Sequence, residues 1–323
     1  MKKKVLISSL LLFGLTLTGC TSQVAKEETK ETATSSVKEE KQEKKEQTIS
    51  YLDKEYQVKF PTKNIVAASL EPMEDAVALG VKPSGAVSVG NDIPEYVASD
   101  LGKDVVNVGD KFSPNVELLT GLKPDVILGS SKFDDSVTAN LEKIAPTINV
   151  SHLSGSWKDN LVLLGELSGK KEKADELIKE YEKDLEKLKE NHKEISDQSI
   201  VILRVRDGEL CMYGNQVYYN PMFYDEVGFK KPAEIDKVKG QETISVEQFS
   251  KINPDILLVQ FAAGENKGHE NFVDELKSNP VFKSMKAVKN DKVYFDIVDG
   301  GYQGGTYLSK KIMLEKLSGQ ILN

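Results

Sequence analysis

Eight short β-branched runs, NIVAAS, SGAVSVG, DVVNVG, PDVILGSS, PTINVSH, SIVILRVR, PDILLVQF and KVYFDIV, alternate with helical segments from residue 49 onward. Strands separated by helices predict a chain built of α/β layers. Between the fifth and sixth runs lies the longest helical segment, roughly 170–194, KKEKADELIKEYEKDLEKLKENHKE. Its Ala174, Leu177, Ile178, Tyr181, Leu185 and Leu188 follow the three-and-four spacing of one buried stripe. Such a helix is about 35 Å long, the breadth of a small domain. It is either a surface helix on one domain or a strut between two α/β lobes, and the strand-rich blocks of similar size on both sides favour the strut.

Those blocks echo each other. Residues 116–128, VELLTGLKPDVIL, share a frame with residues 246–258, VEQFSKINPDILL: a glutamate, apolar residues three and four apart, then Pro-Asp opening a β-branched strand. Glu117 stands as far from Pro124 as Glu247 does from Pro254. Two lobes of related build are expected.

At 323 residues the chain has enough apolar material for one large core or two modest ones. Its net charge of −8 argues against a nucleic-acid partner. The first residues, MKKK followed by VLISSLLLFGLTL and LTGC, read as a signal peptide over 1–19, with an apolar core too short for a permanent span. LTGC resembles the lipobox of bacterial lipoproteins, so Cys20 is expected to become a lipidated mature N-terminus. Acyl chains at about 0.8 kcal/mol per buried CH₂ would supply the anchor. The other cysteine, Cys211, is then left without a disulfide partner. Residues 20–48 hold almost no apolar side chain and many alternating charges, a solvated tether. The folded part divides as 49–153, an N-terminal α/β lobe; 154–196, a crossover and connecting helix; and 197–323, a C-terminal α/β lobe.

Enzymatic constellations are sparse. His152, His192 and His269 fall in no HxxxH or HExxH spacing, and neither a GxSxG nor a Walker loop is present. No catalytic residue, resident cofactor or protein-bound metal is expected. The arginines are more informative, because Arg204 and Arg206 are the only two in a chain that otherwise writes lysine. Asp207-Gly208 marks a two-residue hairpin turn, so strand alternation puts Ile202, Arg204 and Arg206 on one face, opposite Glu209, Cys211 and Tyr213. The other face, Val201, Leu203 and Val205, is core. Two guanidinium groups roughly 7 Å apart then project from one rigid ribbon. A planar guanidinium grips carboxylate-like oxygens in pairs and stays charged when partly desolvated. Arg206 either pairs with Glu209 across the turn or serves a ligand; Arg204 faces a cysteine and is the stronger candidate for an anionic ligand. Tyr213, Tyr218, Tyr219, Tyr302, Tyr307, Lys132 and Trp157 fall in segments expected near strand ends, where α/β folds place ligands.

Together, NIVAASLEPMEDAVALGVKPSGAV, PNVELLTGLKPDVILGSS, LEKIAPTINV, RVRDGELCMYGN with PMFYDEVGFKKP, and YQGGTYLSKKIMLEKL resemble the substrate-binding lipoproteins of iron-siderophore ABC importers. The resemblance covers nearly the whole chain from about residue 50. It implies two Rossmann-like lobes joined by one long α-helix, as in class III periplasmic binding proteins, and ferric iron bound only as a siderophore complex in the cleft. It places Arg204, Arg206, Tyr213 and Lys132 at that ligand, with Trp157, Tyr218, Tyr302 and Tyr307 as further candidates. Lysine at 132 and tyrosine at 302 depart from the arginine and tryptophan more frequent there. Glu117 and Glu247 match the acidic residues that dock each lobe on an ABC permease dimer; alternatively they are favourable charges in a helix's first turn. The implied protein is a monomer, lipid-anchored on the outer face of the cytoplasmic membrane of a Gram-positive bacterium. A carboxylate or hydroxamate siderophore is the expected cargo. Haem, ligated by Met73, Met212 or His269, vitamin B12, and an adhesion lipoprotein without a small ligand remain the competing readings.

Overall fold

Strand β1 (Lys45–Tyr51) turns back through Leu52 and Asp53 onto β2 (Lys54–Phe60), pairing Tyr51 with Lys54 and Lys45 with Phe60. Both turn residues have positive φ, 44° and 62°, the backbone hand that matches the twist of a two-residue hairpin. The ladder begins at Lys45, four residues before the folded part expected from residue 49. Ile49, Tyr51 and Val58 are buried while Thr48, Ser50, Gln57 and Lys59 beside them are exposed, an alternation only two apolar residues long in β1. The computed structural model describes residues 45–322. The signal peptide, Cys20 and the tether up to residue 44 lie outside the described residues.

From here strands and helices alternate. In chain order they are β3 (Ile65–Ala67), α1 (Leu70–Leu79), β4 (Gly85–Ser88), α2 (Glu95–Leu101), β5 (Val106–Asp110), β6 (Ser113–Pro114), α3 (Val116–Leu122), β7 (Val126–Ser130), α4 (Asp135–Glu142), β8 (Thr147–Val150), α5 (Trp157–Leu167) and α6 (Lys171–Asn191). Six of the strands form one sheet in the order β6-β5-β4-β3-β7-β8, parallel except for β6. Helices cover a parallel sheet on both faces, so its strands are apolar on both; Val126, Ile127 and Leu128 of β7 are all buried.

After α6 come β9 (Ile200–Arg206), β10 (Glu209–Tyr213), β11 (Gln241–Thr243), α7 (Val246–Phe249), β12 (Ile256–Phe261), α8 (Phe272–Ser278), α9 (Pro280–Lys283), α10 (Lys286–Lys289), β13 (Val293–Phe295) and α11 (Tyr307–Lys316). The second sheet runs β11-β10-β9-β12-β13, with β9, β12 and β13 parallel. Each sheet has a point where the chain leaves in opposite directions from neighbouring strands: β3 beside β7 in the first, β9 beside β12 in the second. Such switch points open a crevice beyond the carboxyl ends of the strands.

Helix α6 connects the last strand of the first sheet to the first strand of the second. Ala174, Tyr181 and Leu188, seven residues apart, are its buried seam. It packs on α5, on α11 and on the turn of π-helix Met222–Val227. There Glu226 accepts from Tyr181 Oη at 2.5 Å and from Trp157 Nε1 at 3.2 Å, and its Oε1 lies 2.7 Å from the fully buried Lys310 Nζ. Burial pushes the Lys310 ammonium down, and the Glu226 carboxylate opposes that shift.

Candidate functional site

The hairpin forms as its sequence requires. Asp207 and Gly208 take φ values of 50° and 69°, and the register pairs Arg206 with Glu209 and Arg204 with Cys211. Across the turn, however, Arg206 does not use Glu209. Both arginines converge on Glu265, which follows β12 and so stands beside β9 at the switch point. Glu265 Oε2 lies 2.9 Å from Arg204 Nη2 and accepts from Arg206 Nε at 3.1 Å. Its Oε1 accepts from Arg206 Nη2 at 3.2 Å, and Arg206 Nη1 donates to Gln241 Oε1 at 2.7 Å. Arg204 faces Cys211 across the hairpin, as expected, and finds its partner 61 residues away in the chain, adjacent only through the parallel pairing of β9 with β12.

Two adjoining cavities, of about 160 and 190 Å³, occupy the gap between the sheets. Glu71, Lys132, Arg206 and Gln303 line both. Lys111 and Phe112 belong to the first; Arg204, Tyr213, Tyr218 and His152 belong to the second. Most of these residues stand at or just past the carboxyl end of a strand. Lys111 follows β5, Lys132 follows β7, His152 follows β8, and the arginines close β9. Neither Lys111 nor Glu265 carries a motif or a rare residue type that marks it in the sequence, and His152 has no ligand spacing there.

The electrostatics follow from burial. Lys111 Nζ reaches 3.9 Å from Glu265 Oε1, and desolvation pushes its ammonium down. Burial disfavours the Glu265 carboxylate, yet Arg204, Arg206 and Lys111 together hold it below its ordinary range, so it is ionised. Glu71, in the first turn of α1, is pushed up by burial, while Lys132 and Lys111 pull the other way. His152 bonds Ser131 Oγ through Nδ1 at 2.7 Å; burial and then Lys132 push it down, leaving a neutral ring at pH 7. Tyr213 stacks on Tyr218 at 4.4 Å, and Arg204 lies 5.9 Å from the Tyr218 ring centre. The hydroxyls of both tyrosines and Arg204 Nε are buried without a protein hydrogen-bond partner. The region thus combines exposed and buried cations with unpartnered polar atoms and aromatic faces.

Other candidates go elsewhere. Trp157 is 2% exposed and packs edge-on against Tyr181 at 5.0 Å and at a tilt against Tyr307 at 6.3 Å. These two are packing residues of the α5–α6–α11 junction and line neither cavity. Tyr302 packs edge-on against Tyr96 at 4.7 Å and leaves the cavity wall to its neighbour Gln303. Tyr219 is wholly buried behind Tyr218. Gly304 explains the closeness of this C-terminal loop: at φ 73° a Cβ there would stand 2.8 Å from the backbone of Tyr218. Of the haem-ligand candidates, Met73 and Met212 are core residues and His269 sits over the hairpin turn, 3.7 Å from Asp207; none lines either cavity. Glu117 and Glu247 are exposed in the first turns of α3 and α7.

Comparison with known proteins agrees with this geometry. The chain is 40% identical to the iron-uptake system-binding protein of Bacillus subtilis, over 98% of this chain and 99% of that protein. It superposes with a TM-score of 0.80 on the triscatecholate siderophore binding protein FeuA from Bacillus subtilis, complexed with ferri-bacillibactin, at 40% identity over 85% of this chain and 98% of that one. Staphylococcus aureus SirA complexed with staphyloferrin B gives 0.71 at 27% identity, covering 84% of this chain and 97% of that one. Residues 65–296 match the periplasmic binding protein family, a family of substrate-binding proteins, and with the two switch-point sheets and the long helix α6 they establish that this chain belongs to it.

Proposed function

We propose that the cleft captures an anionic ferric siderophore, of the catecholate type, and delivers it to an ABC permease for iron uptake without chemical conversion. The observation that carries the reading is the convergence of Arg204, Arg206, Lys111 and Lys132 on two adjoining cavities, with Glu265 as the ionised counter-charge. Three dianionic catecholates around ferric iron leave three net negative charges, which such a cluster attracts more strongly than bulk water would allow. A ferric tris-hydroxamate is neutral and gains nothing from four cations, so the hydroxamate half of the original expectation is the weaker one. Carboxylate chelates share the negative charge but lack rings for Phe112, Tyr213 and Tyr218 to pack against. The ferri-bacillibactin complex of FeuA supports the same choice.

Titration of the single tryptophan's fluorescence against iron-loaded catecholate, citrate and hydroxamate chelates tests this. Tightest binding of the catecholate is expected; a hydroxamate that binds best would end the charge argument. Glu117 and Glu247 dock the two lobes on the permease, and Cys20 carries the lipid anchor. Replacing both glutamates by alanine should leave chelate affinity unchanged and slow iron uptake, and normal uptake by that variant would refute docking.

A further inference from the structure

Glu265 is an anomaly in a site for anions: an ionised carboxylate bound to both arginines and within 3.9 Å of Lys111 from the other half of the molecule. Charge alone says that it weakens binding. Geometry says otherwise. Arg204 and Arg206 project from the same face of one strand, where two unscreened guanidinium groups repel and each long side chain has many rotamers. A carboxylate shared between them removes both problems. It is bidentate toward Arg206, the fork geometry that fixes a guanidinium plane. It also takes one Nη of Arg204, leaving that residue's Nε without a protein acceptor in the cavity wall. Glu265 lines neither cavity, so it acts from behind the arginines.

We propose that Glu265 is the positioning residue of the ligand site: it holds both guanidinium groups in their binding orientation, and this gain outweighs the negative charge that it adds. The proposal rests on the reading of the cleft as a site for an anionic ferric chelate. It makes the ligand meet a preset grip, whose ordering cost is met during folding.

The test uses the mature chain in two measurements. Because the protein has two arginines, a proton–nitrogen correlation spectrum of the ligand-free protein reports each Nε–H separately. Distinct, exchange-protected signals are expected in the wild type, and their loss in Glu265→Ala; unchanged signals in that variant would overturn the proposal. In the second measurement, an iron-loaded tris-catecholate is titrated into wild type, Glu265→Ala, Glu265→Gln, Arg206→Ala and the Arg206→Ala/Glu265→Ala pair. Glu265→Ala should weaken binding about tenfold, and Glu265→Gln, which keeps one acceptor oxygen, about threefold. In the Arg206→Ala background the same change should cost clearly less, since the effect passes through the arginines; a merely structural residue would show no such coupling. Binding that is equal or tighter in both Glu265 variants shows that charge wins and sinks the idea. Failure of the wild type itself to bind the tris-catecholate would instead strike the cargo assignment, while the ligand-free spectra still decide whether Glu265 holds the arginines.

Discussion

The junctions 115–128 and 245–258 are built on one plan and finished differently. Both helices open on a side-chain cap: Asn115 accepts from the backbone of Glu117 and Leu118 at 3.0 Å, and Ser245 forms a reciprocal capping box with Gln248. Lys123 and Asn253 adopt left-handed φ values of 52° and 48° before Pro124 and Pro254. The aspartate after each proline ties the strand it opens to its parallel neighbour. Asp125 accepts from the backbone of Lys63 and Asn64 at 2.9 and 3.0 Å, and Asp255 from the Ser199 backbone and hydroxyl at 2.8 and 2.7 Å. A lysine completes each cluster, Lys59 for the first and Lys286 for the second. The surfaces then diverge. Val116 and Leu118 flank Glu117 as exposed apolar side chains, whereas the half-buried Val246 and polar Gln248 flank Glu247.

The same contrast governs the cleft. The first half offers Lys132 from an exposed loop, and the second offers Arg204, 3% exposed and fixed on a strand. One scaffold thus supports an adaptable contact on one side and a rigid one on the other.

The sharpest way to break that contrast is to truncate both contacts. Arg204→Ala should weaken chelate binding about thirtyfold, roughly 2 kcal/mol, because a buried charge-assisted contact is lost. Next in size, Asp255→Ala should cost about 1.5 kcal/mol of unfolding free energy by denaturant titration, and Asp125→Ala no more than that. Lys286 and Ser199 hold the Asp255 carboxyl down to about 2 against the opposing effect of burial. Its stabilising contribution is present above its ordinary value of 3.8 and lost as pH falls through about 2. An Asp125 variant that proves the more damaging would show that the two junctions are not energetic equivalents. Smaller again, Lys132→Ala should weaken binding only about threefold, since an exposed cation is solvated and screened. A loss as large as that of Arg204→Ala would erase the distinction between adaptable and rigid contacts.

A pH slope rather than a single loss marks the link between α1 and the C-terminal loop. Glu74 is fully buried and accepts from Gln303 N at 2.8 Å, Tyr96 Oη at 3.1 Å, and the hydroxyls of Thr306 and Ser309. Burial nevertheless pushes its carboxyl up to about 7. The folded protein therefore holds a proton that the unfolded chain, at the ordinary 4.5, has released. Between those two pH values Glu74 makes the protein less stable as pH rises, opposite in sign to Asp255. Glu74→Gln should flatten that slope in the unfolding midpoint, and an unchanged slope would assign it to other groups such as the buried Glu71 and Asp75.

Local pattern made much of this legible. Alternating β-branched runs and helical segments located eight strands of the two sheets, because a strand buried on both faces leaves an unbroken apolar run. The 3.6-residue period located α6 to within a few residues, and Asp207-Gly208 specified a turn that only positive φ can make. Hairpin β1–β2 escaped because its turn is Leu52-Asp53 and each strand carries only two inward apolar residues, Ile49 and Tyr51, then Tyr56 and Val58. The cleft was half legible: rare arginines on a ribbon pointed to it, and a long-range partner did not. Residue type and spacing state which side chains share a face of one strand. Which loop comes to lie beside that face depends on strand order, so Glu265, Lys111 and His152 gained their roles only when β9 paired with β12 and the two switch points came to face one gap. Trp157 and Tyr307 show the reverse, since aromatic character is equally suited to a binding wall and a helix junction, and only packing chose between them.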